Sequence, residues 1–586
     1  MNPGNFFAEL KRRHVYRVAI AYGVFAWLLV QIATQVFPFF AIPNWVVRFV
    51  VSIMILGFPV ALVIAWAFEL TAHGLKRAEN VGPSESIRRW STRRFAAVMV
   101  SIAMVAAALL LFQLVRSRSI FPEQNTTGST SAAKSIAVLP LLNESGRPED
   151  EYFSDGLSEE LIAALAQIKQ LKVIGRSSSF RFKSKRPDIK SIGEKLGVST
   201  LLEGTVRKQG DRVRIVAELV NASDGSELWT RTFDRELKDI FAVQAEIAAA
   251  VADSLKLTLL GPDESSAKNV STESVEAHNA YLQGHFYFQR RNLDDYRRAI
   301  SFFDQAIRID PDYGLAYAER SEAWTWVGDL SAEQQQQAWA AAAKDAQRAV
   351  ATDPNLAEAY AALGWVRFFA EWKFQAGVEA LERANELSPW NATANDLLAR
   401  VVVYLGQFEQ AEKLARQAIE LDPLSYEPRA SLARVLWLQG KLDEAEASGR
   451  KAAELQPAAS SSHRWQVFVN VARGDGTAAL REAQMEPDDG YRRFELALAH
   501  FTQGDHHAAD TVLADLIAKD RDRLAYQVAQ VYAWRGEVDK AFEWLQISLD
   551  NRDTGLQSLL VDPFMRKLRS DPRYRTMLVK VGLPVR

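Results

Sequence analysis

Three long apolar runs stand near the start of the sequence. They cover residues 18–37, 49–68 and 95–115, and the third contains no charged residue. At a rise of about 1.5 Å per residue, such a run can cross a hydrocarbon layer of about 30 Å as a helix. The pattern therefore predicts three transmembrane helices, with a kink at Pro59 in the second.

Basic residues predict the orientation of these helices. Lys and Arg precede the first run and accumulate in the loop 69–94, whereas few follow the third run. Because cytoplasmic loops are rich in Lys and Arg, residues 1–17 and the loop 69–94 are expected in the cytoplasm, and everything after residue 115 on the opposite side. A cleaved signal peptide is the alternative for the first run, but that run is longer than a usual h-region.

The periodicity changes after a polar linker at residues 116–133. Residues 134–260 predict an α/β domain, because short apolar strands alternate there with amphipathic helices. The predicted strands lie at 135–141, 171–174, 200–207, 212–220 and 228–233, and the predicted helices begin at Ser154 or Asp155, at 189 and at 240. Along the fourth strand Val213, Ile215, Ala217 and Leu219 occupy every second position, which is typical of a sheet with one buried face.

The rest of the chain contains a sequence repeat with a longer period. A small residue, a glycine seven positions later and a second small residue five positions after the glycine recur five times. The sets are Ala399, Gly406, Ala411; Ala433, Gly440, Ala445; Val467, Gly474, Ala479; Ala497, Gly504, Ala509; and Ala529, Gly536, Ala541. Pro389, Pro423 and Pro457 are 34 residues apart, which is the period of tetratricopeptide (TPR) repeats. We expect about eight helix pairs over residues 272–553 and a capping segment over 554–586.

Stacked helix pairs form a superhelix with a concave surface that binds peptides or helices. Counting from the first small residue of each repeat, the next position and the one three further on should face this groove. The peptide-groove candidates selected in this way are Trp365, Arg400, Arg434, Trp437 and Phe468. Aromatic and Arg side chains are favoured at binding hot spots. The alternative is that the Arg side chains are solvated or ion-paired and the Trp side chains fill space between helices.

Composition excludes several classes of function. The net charge of −2 combines a basic segment, residues 1–118, with an acidic remainder that would repel nucleic acid. The absence of cysteine excludes disulfides, thiolate zinc sites, iron–sulfur clusters and a Cys nucleophile. No hydrolase, zinc-protease or nucleotide-binding signature occurs, so we predict no catalytic residue, cofactor or metal site and no enzyme.

Two groups of polar residues could still form a catalytic or an anion-binding site. Asp155 and Glu159 could place two carboxylates on one helix face, but an acidic helix start is the simpler interpretation. The loop 175–179, with Arg181 and Lys183 nearby, could hold an anion, although it lacks the glycines of a phosphate-binding loop.

The histidines offer little for metal binding. His278 and His285 lie two turns apart on the first repeat helix, which favours packing over metal ligation. His506 and His507 would point to different sides of a helix, so a metal site there would need further ligands.

Several stretches resemble a known bacterial family. They are IAVLPLLN (136–143), EYFSDGLSEELI (151–162), LLEGTVRKQGDRVRIVAELV (201–220) and ELWTRTFDREL (227–237). They are similar to the TolB amino-terminal-like domain that precedes TPR arrays in bacterial membrane proteins, and the leader is similar to the membrane segment that often accompanies it. Some relatives carry an adenylate-cyclase or winged-helix domain on the cytoplasmic side. Only about 17 residues precede the first run here, so we expect neither domain.

The pattern and the resemblance together predict a membrane-anchored multidomain protein with three transmembrane helices, an α/β domain and an all-α TPR superhelix. It is expected in the bacterial inner membrane as a multi-pass protein, with its C-terminal domains in the periplasm. The leading hypothesis is a non-catalytic scaffold or sensor whose partners are the lipid bilayer and a protein or peptide in the TPR groove, with a homo-oligomer as a further option. The alternative is a signalling component that relays a periplasmic ligand signal to a separate cytoplasmic effector, such as a cyclase or a transcription regulator. A hydrolase or transferase with an unrecognised site is the third hypothesis.

Overall fold

The computed structural model describes part of the chain. The described residues are 68–71, 74–77, 134–255 and 272–585, apart from 167, 169, 185, 332, 333, 460 and 461. The chain divides into two units, Met1–Ser129 and Thr130–Arg586. The three apolar runs lie outside the described residues except for Phe68. Within the described ranges, no helix combines the length and the apolar character needed to span a bilayer.

A β-hairpin is the described element of the first unit. Strand β1 (Phe68–Thr71) pairs antiparallel with strand β2 (Gly74–Arg77), and Phe68 lies opposite Arg77. The hairpin stands at the start of the basic loop that the sequence predicts over residues 69–94.

A mixed sheet forms the α/β domain of the second unit. Its strands are β3 (Lys134–Val138), β4 (Leu142–Asn143), β5 (Leu171–Val173), β6 (Thr200–Gln209), β7 (Arg212–Asn221) and β8 (Glu227–Glu236). The spatial order is β5-β3-β6-β7-β8, with β4 beside β6. Strand β3 runs parallel to β5 and β6, and β6, β7 and β8 form an antiparallel meander. The helices are α1 (Glu151–Ala166), α2 (Arg176–Ser179), α3 (Ile189–Leu196) and α4 (Ile240–Ser254).

Local sequence signals explain most of these elements. The alternation along β7 is confirmed, because Val213, Ile215, Ala217 and Leu219 are all buried. The predicted start of the first helix at Ser154 or Asp155 is wrong. A 3-10 turn at Pro148–Asp150 leads directly into α1, so both residues lie inside the helix and are buried. Pro148 has the fixed backbone angle that suits a helix start, which moves the start upstream.

Eight helix pairs follow in the described residues. The first helices are α5 (Val275–Phe288), α7 (Gly314–Leu330), α9 (Ala357–Phe369), α11 (Ala392–Val402), α13 (Tyr426–Leu438), α15 (Arg464–Arg473), α17 (Asp489–Gln503) and α19 (Ala525–Arg535). The second helices are α6 (Leu293–Ile309), α8 (Gln335–Thr352), α10 (Phe374–Leu387), α12 (Phe408–Leu421), α14 (Leu442–Leu455), α16 (Gly476–Ala483), α18 (His506–Asp520) and α20 (Val538–Asp550).

The period of small residues has a direct structural cause. All ten small residues of the five sets are fully buried where the two helices of a pair cross. The five glycines adopt φ values of 76°, 79°, 78°, 88° and 82°, a left-handed conformation that ends the first helix. The predicted TPR pattern is therefore confirmed at the level of individual residues.

Gly474→Ala should lower the free energy of unfolding by about 1–2 kcal/mol, the usual cost of a left-handed conformation for a residue with a Cβ atom. Gly474 has φ 78°, and an added Cβ atom would meet no atom within 4 Å, so backbone strain is the expected cause. Urea unfolding of the purified full chain measures the loss. Gly474→Asn is the matched control and should cost less, because Asn tolerates this conformation. Equal losses in the two variants would contradict the explanation.

The α/β domain docks directly on the repeats. Helix α1 packs on α5, and Leu157 and Leu161 share one hydrophobic core with Tyr281 and Leu282. A Cβ atom on Gly156 would lie 2.5 Å from a Leu282 methyl carbon, so any larger residue at this position would have to displace the Leu282 side chain.

The Ser-rich loop that the sequence offers as an anion site is a second docking element. The Ser178 amide donates to Asp422 Oδ1 at 2.7 Å, and the Leu424 amide donates to Ser178 Oγ at 2.7 Å. The Gly175 amide donates to the Leu421 carbonyl at 2.7 Å. The loop thus does receive a carboxylate, but this carboxylate belongs to the repeat array of the same chain.

Candidate binding site on the inner face of the repeats

The first helices form the inner face of the array. Each of them, from α5 to α19, contacts the first helix of the next pair. One side chain shows that this face is concave: the Phe564 ring lies 5.3 Å from the Trp437 ring, 5.1 Å from Phe468 and 5.6 Å from Trp534. These three partners belong to α13, α15 and α19. A single ring can reach three repeats in this way only from the inside of the curve.

The chain's own C-terminal segment, residues 554–585, occupies part of the inner face. It consists of 3-10 turns at Thr554–Ser558 and Pro563–Leu568 and helix α21 (Pro572–Val581). Asp562 is buried and accepts hydrogen bonds from Tyr526 Oη at 2.8 Å and Gln530 Nε2 at 2.7 Å, both on α19. Gln557 Nε2 donates to the Phe369 carbonyl on α9 at 3.0 Å. The segment therefore reaches from repeat eight to repeat three.

The five groove candidates fall into two groups. Trp437 and Phe468 are both buried and pack against Phe564. Trp365, Arg400 and Arg434 remain partly exposed. Whether a ligand binds them stays a prediction, but the second group is available on the inner face and the first group is covered.

Each accessible Arg on this face stacks on an aromatic ring. The Arg400 guanidinium lies 4.5 Å from the Trp365 ring centre. The Arg434 guanidinium lies 5.6 Å from Tyr404 and 5.3 Å from Trp465. Such stacking holds the cations in place and leaves their N–H groups free for an acceptor.

Arg464 is a third inner-face cation that the position rule missed. Its guanidinium lies 4.0 Å from the Tyr491 ring, and its Nε atom is 3.1 Å from Glu495 Oε1. Arg464 stands one helical turn before Phe468, which the rule did select. Extending the rule by one turn toward the helix start would have found it.

The charges of Arg400 and Arg434 are poorly compensated. Among the described residues, the closest carboxylate to Arg400 is Asp396, with a nitrogen–oxygen distance of 4.0 Å. In the part of the chain that the structure describes, no carboxylate lies within that distance of Arg434. Burial lowers the pKa of Arg400, and the neighbouring charge of Arg434 acts in the same direction.

Carboxylates line the inner face of repeats two and three. Glu319 and Glu322 stand on α7 and Glu358 stands on α9, and all three side chains keep some accessible surface. Burial, together with the charges of Glu319 and Glu358, raises the pKa of Glu322 to about 8. Burial also raises the pKa of Glu358. An acidic region thus adjoins the basic region on the same face.

A buried charge cluster joins the α/β domain to the array, and we call it the charged junction. It consists of Arg176 and Glu159 from the α/β domain and His285 and Glu319 from the repeats. Arg176 Nε lies 2.7 Å from Glu159 Oε1, and His285 Nδ1 lies 2.7 Å from Glu319 Oε2. His285 Nε2 contacts Glu159 Oε2 on its other side.

The electrostatics of the charged junction keep His285 protonated. Burial alone would lower the pKa of His285, but Glu159 and Glu319 raise it well above its usual value. Burial alone would raise the pKa of Glu159, but His285 and Arg176 hold it at about 2. The sequence interpretation of His285 as a packing residue missed this role, because its partners come from distant parts of the chain.

The other polar candidates have structural partners. Asp155 lies 2.6 Å from Lys183 Nζ, whereas Glu159 pairs with Arg176 and His285. His278 Nε2 lies 2.9 Å from Glu160 Oε1. Within the described residues, no group of three or more His, Asp or Glu side chains could hold a metal ion.

Family models match three parts of the chain. Residues 279–313 and 397–460 each match a tetratricopeptide repeat model, which agrees with the predicted repeats. Residues 132–250 match the HilA/YgeH-like transcriptional regulator, second domain. This match covers the region predicted to be TolB-like, and the TolB resemblance itself stays a prediction.

One curated relative is Putative adenylate cyclase 3 of Rhizobium meliloti (strain 1021). It is 36% identical over 190 residues, which are 32% of each chain, so this chain spans about a third of the relative's length. Among solved structures, a thermophilic TPR protein of Thermus thermophilus is 22% identical and covers 36% of this chain and 98% of its own, with a TM-score of 0.26. A tetratricopeptide repeat protein from Parabacteroides merdae is 13% identical over 45% of this chain and 98% of its own, with a TM-score of 0.31.

Proposed function

We propose that this chain is a non-catalytic, membrane-anchored binding protein whose repeats hold a peptide segment of another protein on their inner face. TPR repeats are typical of protein-interaction scaffolds. The observation that carries the proposal is that the inner face already accommodates a polypeptide segment, the chain's own residues 554–585. Beside this segment, Trp365, Arg400 and Arg434 remain accessible for a further ligand.

The anchoring part of the proposal rests on hydropathy and charge. Three apolar runs at 18–37, 49–68 and 95–115 would span the bacterial inner membrane and leave residues 1–17 in the cytoplasm. The TolB-like domain and the repeats would then stand in the periplasm on the linker 116–133. Fusions of alkaline phosphatase and of a fluorescent protein after Ala133 and after Arg586 test this arrangement. Active phosphatase at both positions is expected, and inactive phosphatase with bright fluorescence at both would contradict it.

The binding part of the proposal is tested by photo-crosslinking in intact cells. A benzoylphenylalanine residue at position 365 or 434 should form an adduct with a separate protein, because both side chains are partly exposed on the inner face. The same residue at Glu379, exposed on the second helix α10, is the matched control and should form no such adduct. Equal adducts from all three positions would contradict inner-face binding.

A second candidate is a signalling component, favoured by the names of one matched protein and one matched family model. The protein is named Putative adenylate cyclase 3, and the family model describes the second domain of HilA/YgeH-like transcriptional regulators. In this case the basic loop 69–94, which contains the β1–β2 hairpin, would contact a separate cytoplasmic effector. Pull-down from membranes should then lose a cytoplasmic protein when this loop is replaced by a neutral linker of equal length.

A further inference from the structure

Contacts within the chain bound the inner face of the first five repeats on several sides, and we call the space between them the chamber. Arg291, in the connection after α5, forms an ion pair with Glu427 on α13, so repeat one touches repeat five. The α/β domain covers this ring, since Gly175 and Arg181 donate hydrogen bonds to the Leu421 and Leu455 carbonyls at 2.7 and 2.5 Å. The C-terminal segment closes another side through its contact with Phe369.

The chamber contains acidic and basic side chains that lack a close partner of opposite charge. At its acidic end, no Lys, Arg or His nitrogen of the described residues lies within 4 Å of the Glu322 or Glu358 carboxylate. At its basic end, Arg434 has no such partner in the described ranges, and Arg400 has only Asp396 at 4.0 Å. These four side chains keep accessible surface although protein surrounds them.

Burial without a cation partner keeps Glu322 largely protonated at neutral pH, and the Arg434 charge stays without a carboxylate partner among the described residues. A ligand that carries both a cation and an anion would supply the missing partners. The two ends must be matched separately, because Glu322 and Glu358 form no ion pair with Arg400 or Arg434. A ligand of one sign would satisfy one end and be repelled by the other.

We propose that the chamber binds an extended peptide segment with a basic cluster at one end, held by Glu322 and Glu358, and an acidic cluster at the other, held by Arg400 and Arg434. This inference rests on the proposed function and specifies the chemistry of its partner. Neighbouring helices pack about 10 Å apart, so the midpoints of the two charged ends, two helices apart, are separated by about 20 Å. An extended chain rises about 3.3 Å per residue, so about six residues join the two clusters.

Fluorescence anisotropy with the purified full chain in detergent tests the charge order. The probe is a fluorescein-labelled peptide with two Lys, a neutral Gly-Ser spacer of about six residues and two Glu. The control peptide has the same composition, with one Lys and one Glu at each end. The block peptide should bind at least about tenfold more tightly at low salt. Equal affinities, or no binding of either peptide, would overturn the inference.

Charge reversal tests the two ends. Arg400→Glu with Arg434→Glu, and separately Glu322→Lys with Glu358→Lys, should each weaken binding of the block peptide by about tenfold or more. Combining all four substitutions should restore binding, because the peptide can then enter in the opposite direction. Arg450→Glu, exposed on the second helix α14, is the matched control and should change nothing. Failure of the fourfold variant to rescue, when circular dichroism shows that it is folded, would contradict the two-ended chamber.

A measurement on the unmodified chain keeps the inference testable if the variants do not fold. A photoreactive group at the Lys end of the block peptide should label α7 or α9, and one at the Glu end should label α11 or α13. Labelling of the same helices from both ends of the peptide, or labelling with the two ends exchanged, would overturn the inference. If the peptides do not bind but residue 365 still crosslinks a separate protein in cells, the proposed function stands and only the two-ended charge pattern fails.

Discussion

Phe564→Ala should lower the free energy of unfolding of the repeat array by about 3–5 kcal/mol, the usual cost of deleting a buried Phe side chain. Phe564 is 2% exposed and packs on Trp437, Phe468 and Trp534, so its removal leaves a cavity between three repeats. Urea unfolding of the full chain, followed by Trp fluorescence, measures the loss, since two of the three partners are Trp.

The control for this variant lies in the same segment. Val579 on α21 is 63% exposed, and Val579→Ala should change stability by less than about 0.5 kcal/mol. A loss of less than about 1 kcal/mol for Phe564→Ala would show that the segment does not hold the inner face together. In the folded variant, Trp437 should also become more accessible to acrylamide quenching, because Phe564 covers it.

Helix ends and the buried face of a strand could be predicted from the sequence, because each depends on residues that are close together in the chain. The Gly at each helix end, such as Gly474, is recognisable because the backbone there adopts a left-handed conformation that favours glycine. The alternation along β7 is recognisable because one face of the sheet is buried. The position rule also selects Trp437 and Phe468, and both rings contact Phe564 of the C-terminal segment.

The contacts that define the site depend on long-range packing. Glu159 and His285 are 126 residues apart in sequence, and Ser178 and Asp422 are 244 residues apart. No periodicity links such positions, so the charged junction and the docking of the Ser-rich loop could not be predicted. For the same reason, the position rule could select Trp437 but could not show that Phe564 covers it.

The second large effect is expected at the charged junction. His285→Gln should lower the free energy of unfolding by about 3 kcal/mol, because removing one partner of a buried ion pair leaves the other charge uncompensated. The His285 side chain is 14% exposed and stands between two carboxylates, so water cannot fully replace it. Loss of this link between the α/β domain and the array should also split one unfolding transition into two. A single transition with unchanged stability would contradict the role of the junction.

The pH dependence of this effect identifies its electrostatic origin. The pKa of His285 is raised above its usual 6.5, so its stabilisation is fully present below pH 6.5 and is lost as the pH rises through the folded value. The pKa of Glu159 is lowered from 4.5 to about 2, so its stabilisation is present above pH 4.5 and is lost as the pH falls toward 2. The difference in stability between the unmodified chain and His285→Gln should therefore be largest between pH 4.5 and 6.5 and shrink on both sides. His507→Gln, at an exposed position, should show no such window, and a flat difference across this range for His285→Gln would indicate a packing effect instead.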